Sequence, residues 1–375
     1  MKNLLTGNGI NIQFDNKNYT TQQIVLRVLK NCDREDFPVH IIVDHSYLLK
    51  NYIGQLFLEI PNIINGLYDQ YANCTAEKKS LDSFKEQYSK NFNTLRITDV
   101  GFEDYYLIHD LVCHKTNTTN PNMYYVRESL KSAYYFAIYN DGELNKLHLQ
   151  YPDKFKNYLK SFNRIFTTNY DSNIDSVVDT KVFHIHGHFD KLSDTYNENS
   201  LRNKLPNPPI ENINIDMNYY YLYSNAISTH SGAYKEMQIN QAPLANSAIE
   251  KLAIAYKENE TVKSDVDSWL NNKNILVSNM GYAVKLKVEH PDVKFSEDYY
   301  FDELKSITGE LEILGLSPWN DFHIFESINN ANIDRCIYYY FSEEQCEKIK
   351  ELLPNLFIAG KIEFIEAKEF WRNQL

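Results

Sequence analysis

Cysteine is scarce and scattered in this 375-residue chain. The five residues Cys32, Cys74, Cys113, Cys336 and Cys346 have no pair closer than ten positions. That spacing excludes a C-x-x-C zinc ribbon and gives no disulfide framework, so a reducing, cytoplasmic setting is expected. Positive charge is also short: 38 Lys and Arg face 50 Asp and Glu, for a net charge of −12. Strong nucleic-acid binding by this chain alone is not expected, because phosphate contact needs clustered cations. No apolar run approaches the roughly 18 residues of a membrane span. The opening "MKNLLTGNGINIQF" lacks the features of a signal peptide. No repeat of 20 to 50 residues is visible. No G-x-x-x-x-G-K-[ST] phosphate loop occurs, so an ATPase function would have to come from another subunit.

Aromatic residues are abundant, at 14% of the chain with 29 tyrosines. Much of the core is therefore expected to carry hydroxyls that need partners. The chain opens with a short strand, "NLL", a turn "TGNG", and a helix capped by Thr20 that places Ile24, Val25, Val28 and Leu29 on one face. From about 40 to 160 the periodicity is helical, with a break at Pro61. A strand "RIFTTN" follows, then a short apolar strand in "TKVFHIHGHFD". Residues 191–245 read as a polar, proline-containing loop. A loop of that length in a compact protein covers a site or serves one. The last third alternates: strand "GELEILGLS", helix "WNDFHIFESINN", strand "DRCIYYYF", helix "SEEQCEKIKELL" with Ser342 and Gln345 placed as a capping box, strand "GKIEFIEA". Such alternation predicts parallel βαβ units. The expected fold is α/β: a Rossmann-like, doubly wound parallel sheet from residues 1–39 and 161–375, with a helical insertion at 40–160.

Four stretches carry candidate chemistry. Gly7-Asn8-Gly9 after the first strand can bring backbone amides to a phosphate, or can be an ordinary tight turn. The helix is not expected to follow it at once, which departs from the usual dinucleotide fingerprint. Thr167-Thr168-Asn169-Tyr170-Asp171 ends a strand, where ligands of open α/β sheets sit. Capping by Asn169 or Asp171 is the plainer reading. In "HIHGH", His184, His186 and His188 fall on one face if the strand continues. The row can then grip a metal, supply one reactive histidine (His186, beside Gly187) or be structural. A metal needs a third and usually a fourth ligand. Lastly, Gly315 and Ser317 in "LGLS" end a late strand, with Asn320, Asp321 and His323 at the next helix start.

Taken in order, these motifs resemble the sirtuin-like family of bacterial anti-phage proteins and the related abortive-infection AbiH group. "GNGIN" stands where sirtuins carry a Gly-Ala-Gly turn, and "TTNYD" where they carry Thr-Gln-Asn-Ile-Asp. "HIHG", about 17 positions on, stands for the segment with their catalytic histidine, and "LGLS" for their ribose-contacting Gly-Thr-Ser turn. The resemblance covers the motif-bearing core; the helical block and 191–245 have no counterpart in it. Sirtuin deacylases also need a four-cysteine ribbon, which this chain lacks, so deacylation is not expected. The resemblance instead implies an NAD hydrolase that releases nicotinamide and ADP-ribose as a defence effector. It implies His186 as base and Asn169 as its catalytic partner. Gly7, Asn8, Gly9, Ile10, Thr168, Asp171, Gly315 and Ser317 would hold NAD, and His184 and His188 would be supports or bystanders. No metal is expected in the reaction. A homo-oligomer is expected, assembled in some relatives with a HerA-type ATPase translocase. Two rival readings stay open: a module that senses ADP-ribose without cleaving it, and a metal-dependent hydrolase using the histidine row.

Overall fold

The computed structural model describes residues 1–196, 214–228, 232–319 and 321–375. Six strands, all parallel, form one sheet: β1 Lys2–Thr6, β2 Arg164–Thr167, β3 Val182–His184, β4 Thr308–Leu314, β5 Asn332–Tyr340 and β6 Ile362–Glu366. Their order is β3-β2-β1-β4-β5-β6. The apolar runs are continuous rather than alternating because helices cover both faces of the sheet. Leu4, Ile165 and Leu314 enter one buried cluster, whereas Leu5, Phe166 and Ile313 enter another. Each leucine so buried contributes about 1.5–3 kcal/mol.

The segment between β1 and β2 is helical. Thr20 caps the helix Thr21–Asn31, its side chain accepting from the Gln23 amide. The expected break at Pro61 lies where the helix Ser46–Leu58 gives way to Ile60–Ile64, with the proline in the first turn, the place where a missing N–H costs least. The cluster that holds Leu4 runs on through Val25, Leu107, Tyr135 and Phe155, so these helices pack on the sheet's own core. Arg27 reinforces this, donating to the Ala137 carbonyl at 2.7 Å. The tyrosines meet the expectation unevenly. Tyr158 and Tyr339 both donate to the buried carboxylate of Glu312 (2.8 and 2.7 Å), but the hydroxyls of Tyr134 and Tyr151 are enclosed without a partner among the described residues.

Three expectations are corrected. Residues 232–245 are not loop: the helix Gly232–Glu258 runs through them and through Pro243. Packing outweighs the roughly 3 kcal/mol proline penalty here. Ile249, Ala253 and Tyr256 of this helix are buried against Val266 and Val284 of two further helices, Glu260–Trp269 and Ile275–Glu289. The capping box at Ser342 is not formed, because Ser342 makes no side-chain cap and Gln345 instead accepts from the Phe341 amide at 2.7 Å. A short helix, Gly9–Phe14, does follow the first glycine turn at once. Of the remaining 191–245 expectation, 191–196 and 214–228 are described and hold one short 3-10 helix, Met217–Tyr223; 197–213 and 229–231 lie outside the described residues, as does Asn320.

Candidate active site

Thr6 pairs in register with Thr167 on one side and Leu314 on the other, so the turns after β1, β2 and β4 leave the sheet side by side. The strand order reverses at this point, and ligands of open parallel sheets bind in the crevice beyond such a reversal. A cavity of about 1120 Å³ opens there. Asn8, Gly9, Thr168, Asn169, Asp171, His186, Gly315 and Ser317, all singled out from sequence, line it. Gly7 and Ile10 do not. Ile10 is fully buried in the core, and its amide donates to the Gly7 carbonyl at 3.2 Å.

The glycines serve a purpose other than free amides. Gly9 donates to the Gly315 carbonyl at 2.8 Å, and Gly7 to the Leu314 carbonyl at 3.4 Å. Their N–H groups are therefore spent on the neighbouring turn rather than open to a phosphate. What demands glycine is contact: a Cβ on Gly9 would lie 2.5 Å from the Gly315 Cα. The two turns press backbone to backbone, and that sets the cavity floor.

The turn after β2 is held from below. Asp171 is buried, and its carboxylate accepts from Asn11 Nδ2 (2.7 Å), the Asn173 amide (3.0 Å) and Asn173 Nδ2 (2.7 Å). Burial pushes its pKa up, against the pull of these donors. It therefore ties β2 to the helix Gly9–Phe14 and has little capacity left for a ligand. Asn169 is fixed through its main chain, with N–H to Thr167 Oγ1 at 3.1 Å and C=O to His184 Nδ1 at 3.0 Å. Its side-chain amide takes no part in these bonds.

The three histidines do not share a face. β3 ends at His184, and Gly187, at φ +79°, turns the chain where a side chain would be strained. The rings of His184 and His188 stack with centroids 4.1 Å apart beside Asp175, whereas His186 faces His323, Nε2 to Nε2 at 3.1 Å. His186 alone of the three lines the cavity.

Around His186 lies a buried polar cluster. Asp321 Oδ1 is 3.9 Å from His186 Nε2 and 3.4 Å from Lys235 Nζ, and Lys235 donates to Glu103 at 2.7 Å. Lys235 is only 2% exposed. Burial, Lys235 and His323 together hold the His186 pKa well below the ordinary histidine value. Burial likewise pushes His323 down to about 4. Both rings are therefore neutral at physiological pH, and neither titrates near 6.5. Burial opposes the charge on Lys235, but Glu103 and Asp321 outweigh it and hold the ammonium protonated.

Asp321 and His323 were legible as polar residues at a helix start; Lys235 and Glu103 carried no sequence signal. Two groups among the described residues have ligand atoms close enough for a metal: Asp175, His184 and His188, and His186, Asp321 and His323. The second already has the Lys235 ammonium against its carboxylate. Compared with protein-family models, curated proteins and solved structures, the chain matches none.

Proposed function

We propose that the chain hydrolyses NAD to nicotinamide and ADP-ribose. One observation carries the reading: four motifs spaced far apart in sequence meet at one cavity beyond the strand ends, with His186 and Asn169 on its wall. The strand order 3-2-1-4-5-6 is also that of doubly wound dinucleotide-binding sheets. In this mechanism NAD lies across the β1 and β4 turns. A water attacks C1′ of the nicotinamide ribose, the C1′–N bond breaks, and its electron pair leaves with nicotinamide. His186 takes the proton from the water, a role suited to a neutral, enclosed imidazole. Asn169 orients the water or a ribose hydroxyl. Because the amides of Gly7 and Gly9 are spent, binding at these turns rests on shape and on Asn8 and Ser317.

We infer further that the protein acts in the cytoplasm as an effector of anti-phage defence, as a homo-oligomer and with a HerA-type ATPase as partner. The helices of 40–160 would form an outer lobe and a subunit contact. A metal-dependent hydrolysis at His186, Asp321 and His323 is the second reading. Lys235, 3.4 Å from Asp321, weighs against a second cation there. The test is incubation of the full chain, alone and with its assembled partner, with NAD and chromatographic detection of nicotinamide. Release that survives chelator treatment and is lost in His186→Ala is expected. No turnover with saturable ADP-ribose binding would make the protein a sensor instead.

A further inference from the structure

The stacked pair His184 and His188 lies outside the cavity and has no part in that reaction. Its hydrogen bonding is incomplete in a specific way. His184 Nδ1 is 3.0 Å from the Asn169 carbonyl, which can only accept, so Nδ1 carries the proton. In the neutral ring His184 Nε2 is then a bare lone pair, yet it faces both oxygens of Asp175, at 3.1 and 3.3 Å. A lone pair and a carboxylate at that distance repel unless something positive joins them. His188 Nε2 is enclosed and, among the described residues, has no hydrogen-bond partner. A proton on His184 would answer the first problem only, as an ion pair with Asp175, and would leave His188 Nε2 without a partner. One cation shared by the three groups answers both.

We propose that Asp175, His184 and His188 bind a divalent transition-metal ion of the zinc class, as a structural site. The three ligand atoms lie within 4.8 Å of one another. Bonds of about 2.0–2.1 Å at tetrahedral angles put ligand atoms about 3.3 Å apart, close to the 3.1 Å between His184 Nε2 and Asp175. Two imidazoles and a carboxylate suit zinc, cobalt or nickel better than magnesium or calcium. The His184 bond to the Asn169 carbonyl is the usual outer-shell support of a metal-bound histidine. Charge also favours a cation: Asp190 lies 3.6 Å from His188 Nε2, and among the described residues no lysine or arginine pairs with Asp175 or Asp190. Asp190 or a water would complete the coordination. Through His184 the ion would brace the turn that carries Asn169.

The experiment uses the full chain, stripped with chelator, dialysed and titrated with Co²⁺, following the visible absorption of tetrahedral cobalt and its displacement by Zn²⁺. One saturable equivalent is expected. His188→Ala and Asp175→Asn should each weaken it by at least about tenfold, and His323→Ala should leave it unchanged. Zn²⁺ should raise the melting temperature of the parent but not of His188→Ala, whose folded state is to be checked by circular dichroism before titration. Absence of saturable binding overturns the site. So does binding lost in His323→Ala but kept in His188→Ala, which would place the ion at the cavity. Neither readout depends on NAD turnover.

Discussion

His186 and His323 meet nitrogen to nitrogen, so one Nε2 must donate and the other accept. Each arrangement has a consequence. If His323 donates, the remaining proton of neutral His186 sits on Nδ1, and no base faces the cavity. If His186 donates, its Nδ1 is a free lone pair, and the enclosed His323 Nδ1 carries a proton with no partner. Catalysis as proposed needs the second. ¹⁵N NMR should therefore find His186 as the Nε2–H tautomer. His186→Ala should cost about 10²–10⁴ in nicotinamide release, the range for general base catalysis. His323→Gln, which keeps an acceptor, should lose far less activity than His323→Phe. Equal losses in the two would remove His323 from the positioning of His186.

The sheet was readable because each strand is a short apolar run closed by glycine or a polar turn, and because the last third alternates strand and helix. The positions of Asn169 and His186 were readable for the same reason, since both follow such runs. The orientation of the histidines was not. Alternation along "HIHGH" presumes a strand that continues, and β3 stops at His184. Lys235 and Glu103 could not be found at all. They are 132 positions apart and belong to residue types that are almost always exposed; only tertiary packing buries them together. The partner of the Gly7 and Gly9 amides, the turn after β4, was not readable, because a pattern of glycines says where a backbone can come close, not to what.

Lys235 is the keystone of that buried charge cluster, and removing it should be costly. Lys235→Met leaves the carboxylates of Glu103 and Asp321 enclosed without their cation. Breaking a buried pair from one side costs about 3–5 kcal/mol. Urea unfolding should show a loss of that order. Lys235→Met combined with Glu103→Leu should recover part of it, because one orphaned charge is then gone. A single variant as stable as the parent would mean that Glu103 is held protonated without the ammonium.

Gly187 should be nearly irreplaceable. At φ +79° an added Cβ would lie 2.2 Å from the Asn225 carbonyl oxygen. The left-handed backbone alone costs an L-residue about 1–2 kcal/mol, and the clash about 1–3 kcal/mol more. Gly187→Ala should lose at least about 2 kcal/mol of stability and displace His186 from the cavity. Gly54 provides the contrast: it lies inside the helix Ser46–Leu58 with open space at its Cβ. Gly54→Ala should gain about 0.5–1 kcal/mol. Equal effects of the two substitutions in thermal unfolding would show that the left-handed turn and the Asn225 contact do not constrain position 187.

His323 should make stability fall with acidity. Its pKa in the folded chain is about 4: burial and Lys235 lower it, and Asp321 only partly restores it. Unfolded, the ring titrates near its ordinary value of about 6.5. The folded value is the depressed one. Above pH 6.5 both states hold the ring neutral, and its contribution to stability is complete. As pH falls from 6.5 towards 4, the unfolded chain takes a proton that the folded chain refuses, and stability is lost at about 1.4 kcal/mol per pH unit. Other groups also titrate in this range, so the useful quantity is the difference between the parent and His323→Gln. Whatever that difference is at pH 7, it should move against the parent by about 2 kcal/mol at pH 5. Urea midpoints at the two pH values measure it directly. A difference that does not change with pH would mean that His323 titrates alike in both states, and that the cluster around His186 is open to solvent rather than enclosed.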